Sequence, residues 1–78
     1  MDDETFNLQL RQFLKRFGVT AQREIERAVA EGIERGTLKG TETLPVTATL
    51  EIPGVLPTME IAGTIGLGPG VRGQGSGL

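Results

Sequence analysis

The chain has 78 residues, 37% of them apolar, with a formal charge of −2 at pH 7; this allows one small domain and gives no blanket attraction to nucleic acid or an anionic membrane. Cys and His are both absent, which excludes disulfides and thiolate chemistry and removes the commonest general base and metal ligand. No apolar run approaches the roughly 20 residues that span a bilayer, and the acidic start Met1-Asp2-Asp3-Glu4 lacks the pattern of a signal peptide, so the expectation is a cytoplasmic protein without a membrane partner.

Charge and glycine divide the chain. Residues 1–36 hold 13 of the 18 charged side chains and three of the 12 glycines, whereas residues 37–78 hold five charges and nine glycines. A charged segment with spaced apolar positions favours helix, and a Thr/Val/Ile segment punctuated by Gly and Pro favours strands and turns. The expected domain covers residues 1–65, and a flexible Gly-rich tail covers 66–78.

Phe6, Leu10, Phe13, Leu14 and Phe17 recur at helical spacing and form one face of a first helix. Asp2 or Asp3 is placed to cap its start, Lys15 and Arg16 suit its negative end, and Leu8 lies off the stripe. Gly18 is read as the stop, with Val19 folding back in a Schellman motif. A second helix is expected after Thr20, with Ala21, Ile25, Ala28, Val29, Gly32 and Ile33 as its inner face and Gly36 as its end. Its small residues would accept the Phe-rich stripe of the first helix in a helical hairpin.

From Leu44 the period becomes two. Val46, Ala48, Leu50 and Ile52 alternate with Thr47, Thr49 and Glu51, and after Pro53–Pro57 the residues Met59, Ile61, Gly63 and Ile65 alternate with Thr58, Glu60, Ala62 and Thr64. This predicts an antiparallel β-hairpin with one apolar face. Two registers keep that face intact: Ile52 opposite Met59, which sets Glu51 against Glu60, or a two-residue slip that sets Glu51 against Thr58. The fold class is therefore α+β in the order ααββ, with the two helices covering the apolar face of the hairpin.

The run Gly68-Pro69-Gly70-Val71-Arg72-Gly73 matches G-x-G-x-x-G, but five residues after it cannot supply the helix that a dinucleotide site needs. Its glycine content predicts a tail that cannot offset its backbone entropy. Arg27, Glu31 and Arg35 fall at i, i+4 and i+8, the spacing of a solvated ion-pair ladder rather than of an acid–base pair. Asp2, Asp3 and Glu4 are consecutive at a terminus and do not converge on an ion. No catalytic, cofactor-binding or metal-binding residue emerges, so no enzyme activity and no cofactor is expected.

Phe17-Gly18-Val19-Thr20-Ala21 is similar to the turn of helix-turn-helix proteins, with Arg23 and Arg27 on the following helix as candidate phosphate contacts. Three features depart from that pattern. The apolar anchor after the turn is Ile25, one position late. The helix over 21–35 has four Glu against three Arg, and no helix precedes the pair.

Phe6, Phe13-Leu14-Lys15, Gly18-Val19-Thr20 and Gln22-Arg23-Glu24-Ile25-Glu26, followed by Leu38-Lys39-Gly40, Glu42-Thr43-Leu44-Pro45 and an amphipathic hairpin, form a longer pattern. Over residues 1–65 it resembles a family of short bacterial proteins of unknown function. The resemblance implies a bacterial stand-alone protein and brings no active site with it. Two functional readings follow from the residues. One is a non-enzymatic interaction or assembly module, self-associating as a homo-oligomer, with a dimer favoured, or binding another protein. It would use a hairpin edge, with Val55 and Leu56 at the turn as accessory contacts. The other is a small DNA-binding regulator, against which the acidic balance counts.

Overall fold

The computed structural model describes residues 1–69. Helix α1 (Asp3–Arg35) is followed by strands β1 (Thr43–Ile52) and β2 (Leu56–Gly66), so the class is α+β. The chain divides into two units, Met1–Thr37 and a second that begins at Leu38.

The helical part departs from expectation in one decisive respect: there is one helix of 33 residues, not two. Gly18 lies inside it, outside the positive-φ region that a Schellman stop requires. An interior glycine costs about 1 kcal/mol relative to alanine, which weakens a helix without ending it. The apolar period also crosses Gly18 without a phase change. At 100° per residue, Phe6, Leu10, Phe13, Leu14, Phe17, Ala21, Ile25, Ala28 and Gly32 share an arc of roughly 120°. Thr20 is consequently an interior helical residue and not an N-cap, and residues 21–35 are the second half of α1.

Both ends of α1 are closed by specific groups. The Asp2 carboxylate accepts the N–H of Glu4 at 3.1 Å and of Thr5 at 3.2 Å, and the Thr5 hydroxyl at 2.7 Å. These satisfy N–H groups that have no intrahelical partner. At the other end Gly36 takes φ 85°, its N–H donates to the Ile33 carbonyl at 3.1 Å, and the Thr37 N–H donates to Gly32 at 2.9 Å. That pair of bonds is the Schellman motif, found 18 residues later than its expected position.

β1 and β2 pair antiparallel as a two-stranded sheet. Leu44 faces Ile65, Val46 faces Gly63, Ala48 faces Ile61 and Leu50 faces Met59. This is the slipped register, in which Glu60 faces Thr49 and the two glutamates avoid one another. A register shift between Leu50 and Ile52 then brings Ile52 opposite Leu56. The strands are joined by a tight turn in which the Val55 N–H donates to the Ile52 carbonyl at 2.9 Å, with Gly54 at φ 80°. Pro followed by positive-φ Gly is the type II sequence.

The base of the hairpin is fixed by Glu42. Its carboxylate accepts the N–H of Lys39 at 2.8 Å and of Gly40 at 3.0 Å, and its carbonyl accepts the Leu67 N–H at 2.8 Å. Ordered pairing therefore extends past residue 65, where the tail was expected to begin: Gly66 belongs to β2 and Leu67 is hydrogen-bonded. Gly68 lies so close to the Gly40–Thr41 backbone that an added Cβ would meet Thr41 Cα at 3.1 Å. The remaining tail, from position 70, and most of the G-x-G-x-x-G run lie outside the described residues.

Candidate functional site

Among the described residues no hydrophobic side chain is buried. On α1 the exposure is concentrated along the stripe, where Phe6 is 51%, Leu10 41%, Phe13 43%, Leu14 50% and Phe17 48% exposed. The second half of the stripe is of different character: Ala21 is half-buried, Ala28 is exposed, and Gly32 is the one buried residue of the helix. Bulky side chains thus occupy its N-terminal half and small ones most of its C-terminal half. Ile25 is the exception.

The ion pairs expected from spacing reach into the C-terminal half of that arc, where Glu24, Glu31 and Arg35 fall among the stripe positions and Arg27 lies beside them. Arg27 pairs with Glu24 and, at 4.0 Å, with Glu31, which also meets Arg35 at 3.8 Å. Gln22 donates to Glu26 at 3.0 Å. All these groups are solvent-exposed, so each pair contributes a few tenths of a kcal/mol, roughly 0.3–0.5 kcal/mol. Arg23 and Arg27, the two candidate phosphate contacts, lie on one exposed flank of α1, and Arg27 is engaged by glutamates. The turn on which a helix-turn-helix depends is absent, because Gly18-Val19-Thr20 is helical.

In the hairpin, Leu44, Val46, Ala48 and Leu50 of β1 are half-buried, while Met59 and Ile61 on β2 are 41% and 57% exposed. Val55 stands at the tip, 78% exposed, beside half-buried Leu56. A shallow hollow runs along the turn from Glu51 to Pro57. Among the described residues the sheet has two strands, and both its edges offer unpaired backbone groups.

Two carboxylates are electrostatically distinct. The Thr5 hydroxyl and N–H hold Asp2 below the usual carboxylate range, and the Lys39 N–H does the same for Glu42, assisted by Gly40. Each carboxylate is committed within its own unit to backbone N–H groups, as an N-cap at Asp2 and as a turn acceptor at Glu42. Among the described residues no three Asp or Glu side chains group to hold a metal ion, and no helix is long and apolar enough to cross a membrane.

Compared with known proteins, residues 1–68 match the model of a Family of unknown function (DUF6494). The chain belongs to that family. DUF6494 spans the helix, the connecting segment and the whole hairpin, so the pattern recognised across residues 1–65 corresponds to all three elements. No curated protein and no solved structure matches the chain. The feature that residue-by-residue reading missed is the continuity of the α1 stripe. Its signal was the unbroken phase from Phe17 to Ala21 and Ile25, which a turn at Gly18 would have interrupted.

Proposed function

We propose that this DUF6494 chain is a non-enzymatic interaction module of bacterial origin that works by self-association, with a dimer as the simplest closed form. The observation that carries the reading is the exposed apolar stripe of α1, five large side chains on one face, each at least 41% exposed. An isolated helix gains most of its stability from burying such a face, and a two-stranded hairpin is marginal until a third element covers or extends it. The hairpin offers a second contact, a strand edge with Val55 and Leu56 as accessory groups. A non-enzymatic role is supported by the commitment of Asp2 and Glu42 to backbone caps and of Glu24 and Glu31 to ion pairs.

Sedimentation equilibrium from low to high micromolar concentration tests the reading. It requires a mass above 8.3 kDa that rises with concentration and a melting temperature that rises with it. A mass fixed at the monomer value throughout overturns it. Titration with mixed duplex DNA at low salt is the companion measurement, and micromolar binding lost steeply with added salt would replace this reading with a nucleic-acid one.

A further inference from the structure

Along α1 the apolar stripe is complementary to its own reversal. Counted outward from Val19, the midpoint of the helix, Phe17 mirrors Ala21, Leu10 mirrors Ala28 and Phe6 mirrors Gly32. Three of the five large side chains thus have a small one as mirror image, while Phe13 mirrors Ile25 and Leu14 mirrors Glu24, which is paired with Arg27. The polar ends obey the same relation, since Asp3 mirrors Arg35, and both fall on the stripe's own arc at 100° per residue.

We propose that the occupant of this face is α1 of a second copy, running antiparallel, with the twofold axis near Val19. The inference rests on the self-association reading and names its surface. Three physical points select the orientation. Two helices packed side by side keep an axial separation of 8–10 Å only if the bulk at each level is similar along the seam. The antiparallel arrangement sets Phe6 against Gly32, and Leu10 against Ala28, at both ends. A parallel, in-register pair would instead stack Phe6 on Phe6 at one end and leave glycine against glycine at the other. The end charges agree: reversal brings Asp3 opposite Arg35 twice, whereas parallel packing opposes Asp3 to Asp3 and Arg35 to Arg35. The continuity of the helix supplies the third point. Its bulky and small halves cannot fold back on each other within one chain, because no turn separates them. A second copy reversed supplies the same complementarity.

Disulfide trapping in the full chain decides the matter, because no native cysteine interferes. Leu10→Cys and Ala28→Cys are prepared separately, mixed in equal amounts and oxidised gently, and the three possible products are distinguished by mass. In the antiparallel pair a thiol at position 10 lies about 27 Å from the same position of its mate, from 18 residues at 1.5 Å each, and faces position 28. Nearly all the disulfide should then be mixed, against one half for random pairing. Asp3→Cys with Arg35→Cys leaves the apolar seam whole and should give the same bias, which keeps the test decisive if Leu10→Cys loses helicity. Self-linked products of each variant alone would show a parallel pair and overturn the proposal. A dimer by sedimentation with no trapping at either pair overturns it too, leaving self-association through the hairpin edge. A monomer at every concentration overturns both.

Discussion

The carbonyl of Gly32 accepts two hydrogen bonds from one residue, the Thr37 N–H at 2.9 Å and the Thr37 hydroxyl at 3.1 Å. Together with the left-handed Gly36 between them, this double contact gives α1 its terminus. It explains why the helix stops here and not at Gly18. A helix ends where glycine can adopt positive φ and where the following residues can take up the orphaned carbonyls. After Gly18 the helix continues and the apolar stripe resumes in phase at Ala21.

Gly18→Ala should therefore stabilise the protein. Nothing lies within 4 Å of the Cβ it would add, and alanine in a helix interior is favoured over glycine by about 1 kcal/mol. Thermal melting followed by the helical circular dichroism band should shift upward by several degrees. A downward shift would mean that residue 18 needs the conformational freedom of a turn.

Phe13→Glu should abolish self-association while leaving the helix formed, since it puts a charge into the exposed apolar stripe without removing any intrachain contact of a buried core. The measurement is sedimentation mass beside helical content at the same concentration. Retention of the oligomer would move the interface to the hairpin. Val55→Asp, at the 78%-exposed tip, is the corresponding probe there.

The base of the hairpin should be acid-sensitive through Glu42. Its carboxyl is held below the usual carboxylate range in the folded state by the Lys39 N–H. A group whose folded value is depressed contributes stability above its unfolded value and loses it as pH falls through the folded value. The amide signals of Lys39 and Gly40 should therefore be constant at neutral pH and shift together at acid pH, with a midpoint below that of an unperturbed glutamate. Glu42→Gln should remove the transition. A midpoint at or above the ordinary glutamate value would contradict the hydrogen-bonded geometry.

Gly68→Ala should destabilise the hairpin base by about 1 kcal/mol, the lower end of overpacking costs, because the new Cβ meets backbone at Thr41 Cα and not a side chain that can swing away. Urea unfolding monitored on the Leu67 amide gives the value. Truncation after Pro69 is the contrasting change and should leave the same transition unmoved.

Much of this fold was legible in the residues themselves. The alternation from Leu44 to Ile65 gave the hairpin and its apolar face but left two registers open, and the strands take the one that separates Glu51 from Glu60. The ladder through Arg27, Glu31 and Arg35 followed from four-residue spacing. What was not legible was the meaning of Gly18. A Gly-Val-Thr sequence between two apolar stretches is locally compatible with a turn or a helix. The deciding term is the phase of the stripe across it, a property of 27 residues and not of three. The same limit hid the ordered end of β2, since nothing in Gly66-Leu67-Gly68 announces that Glu42 waits across the sheet for the Leu67 N–H.

Glu42 makes two kinds of contact at the base of the hairpin: its carbonyl adds one more rung to the ladder by accepting the Leu67 N–H, and its carboxylate closes a local turn with the Lys39 and Gly40 N–H groups on its own side of the sheet. A hairpin unzips from its open end, and its amides exchange with solvent in a gradient from base to tip. This clasp sits where that opening starts, so Glu42→Gln should speed exchange of the Leu67 amide more than that of the central Ala48 and Ile61 amides.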